Sequence, residues 1–176
     1  FDLKPLPANV ELVQLTDELM PSFKRLLSLT LPIAYPEKFF IETMTEPHHS
    51  VTLVAVWHPT PPQGDSLQPE KPHLVGAIRC RLLPGRNLYI STIGLLAPYR
   101  SHGIATHLLH AIVNKAAQEH GVRCITAHVW EANEDGLEWY QKRGFETIGK
   151  EEGYYRKLKP STAFLVKKWI GVGDLL

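Results

Sequence analysis

The chain of 176 residues has a formal charge of +1, with 44% hydrophobic and 21% charged residues, an ordinary balance for a globular fold. Bulk charge therefore favours neither nucleic acid nor membrane as a partner. No apolar run approaches the ~18 residues that span a bilayer, and the start, FDLKPLPANVELV, lacks the basic-then-apolar layout of a signal peptide.

The length suits one domain, 1–176, with one core. Val10 to Leu15 alternates as a first strand. Thr16, with Glu18 and Leu19 behind it, opens a helix expected to run to about Thr30, its apolar face made by Leu19, Phe23, Leu26 and Leu27. In Leu31 to Met44, Pro32 and Pro36 force a bent loop before a short helix containing Phe39, Phe40 and Ile41. From its residues alone this loop is either an apolar connection or a substrate contact. Val51 to Trp57 and His73 to Leu83 read as antiparallel strands around a Pro-rich loop insert, 58–72, to which no chemistry is assigned.

Asn87 to Leu96 is a run of β-rich, largely apolar character, expected as a central strand covered on both faces. Pro98 ends it. Arg100, Gly103 and Ala105 follow at the spacing R-x-x-G-x-A, just ahead of a helix, His102 to His120, with Leu108, Leu109, Ile112, Val113 and Ala116 on one face. Such a turn aims unpaired N–H groups and the positive end of a helix dipole outward, a seat for a pyrophosphate. Taken alone, the same glycine serves equally to relieve packing. Next come a strand, Val122 to Trp130, a helix opened by Asn133, and strands within Phe145 to Lys157 and Ala163 to Trp169. Cys80 and Cys124 lie far apart in strand-like runs and read as two buried thiols in a reducing compartment.

Strand alternation puts Tyr89, Ser91 and Ile93 on one face and Thr126, His128 and Trp130 on one face of the later strand. If these strands are neighbours, Tyr89 and His128 share a groove. Imidazole takes up a proton near neutrality, and a tyrosine hydroxyl can hold a water beside it. Either residue alone also fits a satisfied position within a sheet. His102, His107 and His110 lie along one helix and His48, His49 and His58 near a loop, but no Cys or carboxylate completes a zinc spacing.

Together the R-x-x-G-x-A turn and NEDGLEWYQKRGFE resemble the acetyl-CoA-binding core of the GCN5-related N-acetyltransferase (GNAT) family. LYISTIGLLAPYRSHGIAT, ITAHVWEANEDGLEWYQKRGFE and GYYRKLKP are similar, within it, to N-terminal acetyltransferases of the NatE type. The resemblance covers Val10 to Lys168 apart from the insert. It implies an α/β fold whose mixed, mostly antiparallel sheet of about seven strands is splayed between two central strands and flanked by about four helices.

The resemblance further implies acetyl-CoA as co-substrate, no metal, and direct attack of a peptide amine in a ternary complex. Tyr89 and His128 would be the catalytic pair. Ile93, Gly94 and Leu95, then Arg100, Ser101, His102, Gly103, Ile104, Ala105 and Thr106, would hold the cofactor together with Asn133, Tyr140 and Lys142, with Tyr140 near the departing sulfur. A backbone N–H near Ile93 would stabilise the oxyanion. Leu31, Pro32, Ile33 and Tyr35 on one side and Tyr154, Tyr155 and Leu158 on the other, with Ser91, would enclose an N-terminus that starts with Met and a large apolar residue. Implied partners are N-terminal peptides, NatA auxiliary and catalytic subunits and the ribosome, in the cytoplasm and also the nucleus, without direct sequence-specific nucleic-acid binding or membrane binding. Two rivals stay open: acetylation of lysine or of another class of N-terminus, and a weakly active CoA-binding subunit of a larger complex.

Overall fold

The structure is a computed structural model that describes residues 3–59 and 71–175. In chain order the elements are β1 (Val10–Gln14), α1 (Met20–Thr30), α2 (Glu37–Thr43), β2 (Thr52–Trp57), β3 (His73–Leu83), β4 (Asn87–Leu95), α3 (Ile104–His120), β5 (Cys124–Trp130), α4 (Glu134–Lys142), β6 (Glu146–Glu151) and β7 (Ala163–Trp169). The strands follow the order β1-β2-β3-β4-β5-β7-β6 in a seven-stranded sheet. Pairing is antiparallel in β1–β2, β2–β3, β5–β7 and β6–β7, and parallel in β4–β5. The mixed α/β sheet and the interior place of β4 match the sequence reading. Most of the Pro-rich insert, residues 60–70, lies outside the described residues.

Several boundaries differ. The first helix begins at Met20, because Asp17–Leu19 form a 3-10 turn after Thr16 and Pro21 occupies the first helical turn, where its missing N–H removes no bond. Val51 belongs to a 3-10 turn and Val54, Ala55 and Val56 are all buried, since β2 lies between two other strands and is covered on both faces. β4 departs in the opposite sense: Leu88 and Ile90 are buried while Tyr89 and Ser91 are half-buried. One of its faces is therefore open enough for chemistry. The strand expected over 145–157 stops at Glu151, and Tyr154 and Tyr155 sit in the irregular segment that follows.

The described residues fall into two compact units. The first comprises 3–59, 71–79 and 92–112. Its core joins Leu15, Phe23, Leu26, Leu27, Phe40, Val54, Val56, Leu74 and Ala77, with Tyr35, Phe39 and Leu96 packed against it. Burial of each large side chain contributes roughly 1.5 to 3 kcal/mol. Among the described residues of this unit, Arg79, 1% exposed, is the buried charged side chain. Its Nε donates to Thr43 Oγ1 at 2.9 Å and its Nη2 to the Phe39 carbonyl at 3.3 Å, while Glu42 Oε2 lies 3.7 Å away and the Phe39 ring 4.0 Å below the guanidinium. One strand residue thus fastens α2.

The second unit comprises 80–91 and 113–175. Its buried residues include Leu88, Ile90, Ile125, Ala127, Val129, Phe145 and Val166. β4 and β5 pair through Asn87↔Cys124, Leu88↔Ile125, Tyr89↔Thr126 and Ile90↔Ala127, where their parallel ladder ends.

Replacing the guanidinium by an apolar chain of similar length, Arg79→Met, leaves Thr43, the Phe39 carbonyl and Glu42 without its donors. The expected loss is about 3 kcal/mol of folding stability, read as a lower midpoint in chemical denaturation.

Candidate active site

Parallel pairing of Tyr89 with Thr126 puts their side chains on one face, and His128 lies two residues further along the same face. The Tyr89 hydroxyl is 2.7 Å from His128 Nδ1 and 3.1 Å from the Tyr154 hydroxyl. On the other side of the ring, His128 Nε2 is 2.9 Å from Glu151 Oε1. The imidazole is stacked on Tyr154, with centroids 4.2 Å apart and planes at 15°, and meets Tyr89 edge-on at 5.5 Å. Two aromatic rings and a carboxylate therefore fix its position.

These contacts set a direction. An ionised carboxylate only accepts, so the proton of a neutral imidazole resides on Nε2, and Nδ1 becomes the acceptor for the Tyr89 hydroxyl. Tyr89, having donated, accepts from Tyr154. The chain runs Tyr154 to Tyr89 to His128 to Glu151, each member donating to the next. Burial above all, with the neighbouring phenols, pushes the Tyr89 phenol far above the usual tyrosine range. It stays protonated and can act as a conduit, but not as a phenolate base at neutral pH.

Tyr154 is carried by the segment between β6 and β7. That segment is tied down by Tyr155 N–H to the Ser161 carbonyl at 2.9 Å, Gly153 N–H to Ser161 Oγ at 3.2 Å, and Trp130 Nε1–H to the Pro160 carbonyl at 2.7 Å. Tyr155 meets Tyr154 edge-on at 4.8 Å, and Leu158 closes a turn onto the Tyr155 carbonyl. In the same unit Asn133 caps α4, accepting from the Gly136 N–H at 3.0 Å. Lys142 pairs with Glu138 at 3.0 Å. Tyr140 is buried between Trp139 and Phe145, at 5.1 and 5.0 Å, and burial again holds its phenol above the usual range.

The other unit contains the glycine turn and the apolar loop. β4 ends at Leu95, a 3-10 turn spans Ala97–Tyr99, and Arg100 Nε donates back to the Leu95 carbonyl at 3.1 Å. Ser101 at φ 67° and Gly103 at φ 79° then reverse the chain into α3. Its first i→i+4 bond joins the His107 N–H to the Gly103 carbonyl, so the N–H groups of Ile104 and Ala105 face out of the helix start. A Cβ built on Gly103 would approach only Lys4 Cβ, at 3.7 Å. The turn has the open helix start that the spacing predicts, and its outward N–H groups fit a pyrophosphate. Gly94 packs against Thr30, whose methyl would lie 2.8 Å from an added Cβ. In the loop, Leu31, Ile33 and Tyr35 are half-buried and Pro32 is exposed. Tyr35 rests on Phe39 at 4.4 Å and is thereby tied to the ring beneath Arg79.

The structure thus brings Tyr89, His128 and Tyr154 into one network and adds Glu151, which the sequence reading missed. Among the described residues no three or more His, Cys, Asp or Glu side chains form a metal-binding group, and no helix is long and apolar enough to cross a membrane.

The family model for the acetyltransferase (GNAT) family matches residues 20–145. The chain belongs to this family. Among GNAT proteins it is similar to N-alpha-acetyltransferase 50 of Danio rerio, 30% identical over 166 residues, 93% of this chain and 90% of that protein. It is also similar to the probable N-acetyltransferase san of Drosophila melanogaster, 29% identical over 164 residues, 92% of this chain and 81% of that one. Arabidopsis thaliana Naa50, solved in complex with the bisubstrate analogue CoA-Ac-MVNAL, superposes with a TM-score of 0.74 at 29% identity, covering 91% of this chain and 98% of that chain.

Gly85 and Gly103 share positive φ, at 83° and 79°, and neither has a close neighbour that a methyl group would strike. Alanine at either should strain the backbone by roughly 1 to 2 kcal/mol and lower the thermal midpoint. Only Gly103→Ala should weaken CoA binding, measured by isothermal titration.

Proposed function

We propose that the protein transfers the acetyl group of acetyl-CoA to the α-amine of protein N-termini, with preference for Met followed by a large apolar residue. The observation that carries this reading is the ordered chain from the Tyr154 and Tyr89 hydroxyls to His128 Nδ1, in a GNAT protein with N-alpha-acetyltransferase relatives. A peptide α-amine has a pKa near 8 and is mostly ammonium at neutral pH. It must lose a proton to become nucleophilic. Acetyl-CoA supplies an activated thioester, and the chain's own residues supply the proton path. As the amine proton reaches the Tyr89 oxygen, the phenol passes its own proton to Nδ1, leaving a neutral tyrosine and an imidazolium. The amine nitrogen bonds to the acetyl carbon, the C–S bond then breaks, and the nitrogen gives up a second proton, which the departing thiolate takes up. Cys80 and Cys124 are buried and form no disulfide, and the reaction needs no acyl-enzyme.

Support for the substrate class comes from chemistry and likeness together. The half-buried Leu31, Ile33 and Tyr35 and the aromatic pair Tyr154 and Tyr155 are surfaces suited to apolar side chains. The peptide portion of the analogue bound by the Arabidopsis relative begins Met-Val. The outward N–H groups at the start of α3, beside Gly103, suit the donor's pyrophosphate. As a NatE-type enzyme the protein would work beside NatA subunits at the ribosome, where new N-termini emerge.

CoA release should be measured with peptides beginning Met-Leu, peptides beginning Ser-Glu, and peptides whose only amine is an internal lysine. The expected order puts Met-Leu first. His128→Ala should lower kcat roughly 100-fold while CoA still binds. Turnover on lysine alone would remove the substrate assignment, and CoA binding without turnover on any peptide would remove the activity.

A further inference from the structure

The proton path ends at a residue outside the usual reach of strand-parity reasoning. Glu151 is the last residue of β6, an edge strand separated from β5 by β7. β7 sets Leu165 opposite His128 and Ala163 opposite Trp130, so those four share a face. On its other side β7 pairs with β6 through Thr147↔Val166 and then Gly149↔Leu165, Lys150↔Phe164 and Glu151↔Ala163, with Ile148 left over as a bulge. The extra residue has a specific consequence. In a regular ladder Ile148 would oppose Leu165 and Lys150 would oppose Ala163, bringing an ammonium to the face of His128. With the bulge, the phase of the strand changes, and Glu151 takes that face while Lys150 turns to the opposite one.

We infer that Glu151 is a positioning residue for His128, fixing the Nε2–H tautomer so that Nδ1 is the atom offered to Tyr89 and balancing the imidazolium formed during transfer. The inference rests on the reading of Tyr89 and His128 as the proton path. The groups facing the imidazole are Glu151 from β6, Tyr89 from β4 and Tyr154 from the segment after β6. Glu151 is the only anion in this set, and its contact of 2.9 Å has the length of a charge-assisted bond. Its side chain is half exposed, so solvent screens the pair and the effect is modest. The same exposure lets the Nε2 proton pass to water between turnovers.

The test compares Glu151→Gln, Glu151→Ala and Lys150→Gln with wild type. Both Glu151 variants should lower kcat, the alanine variant by about fivefold and the glutamine variant, which retains an acceptor, by less. KM for acetyl-CoA and peptide should stay put. Lys150→Gln should behave as wild type. Unchanged kcat in Glu151→Ala would overturn the assignment. Nitrogen-15 NMR of labelled histidine reads the same effect without turnover. A neutral His128 ring that loses its preference for the Nε2–H tautomer in Glu151→Ala supports the pairing, and one that keeps it unchanged overturns it, even if wild type proves inert on every amine and the functional reading fails instead.

Discussion

A neutral imidazole has one donor and one acceptor, and the rest of the candidate site depends on which nitrogen is which. The contact between His128 Nδ1 and the Tyr89 hydroxyl is useful only if Nδ1 is bare, because a protonated Nδ1 would compete with the phenol to donate. Glu151 decides this from the far side of the ring, and Tyr154 decides the orientation by lying flat against it. Tyr89 is held in the neutral form in this setting, since burial disfavours phenolate. The proton therefore has a single destination within the network, and the direction of transfer is fixed by the hydrogen bonds present before substrate arrives.

Stability and chemistry use different polar groups. Arg79, in the unit with the apolar loop, is deeply buried and spends its donors on α2, and the Phe39 ring beneath it supports Tyr35. The His128 network is less buried and has a half-exposed carboxylate at one end and an exposed tyrosine at the other. A buried ion pair resists solvent and movement. A proton path needs the opposite, an outlet to water at its end. The glycine turn follows a third logic, since positive φ at Ser101 and Gly103 is strain accepted where backbone N–H groups must face outward.

Parity and spacing made much of this legible in the sequence. Tyr89 and His128 could be assigned to one face because residues two apart in a strand share a side, and the parallel register Tyr89↔Thr126 satisfies the remaining condition of adjacency. R-x-x-G-x-A announced a helix start because only glycine adopts its backbone readily there. Glu151 was not legible. Its place depends on the order β5-β7-β6 and on the bulge at Ile148, and neither leaves a periodic trace in six residues of an exposed edge strand. Arg79 was hidden for a related reason: alternation reads an arginine as outward, and only α2 packing over the strand supplies the acceptors that keep it inside. The first helix was placed early because Thr16 has the residue type of a cap but makes no side-chain capping bond.

The proton path depends on the protonation pattern of one ring, which nitrogen-15 NMR of labelled histidine reads directly. At neutral pH the neutral form of His128 should show a protonated Nε2 and a bare, acceptor-type Nδ1. A neutral ring protonated at Nδ1 would contradict it, because Tyr89 would then have no acceptor to which it could deliver a proton.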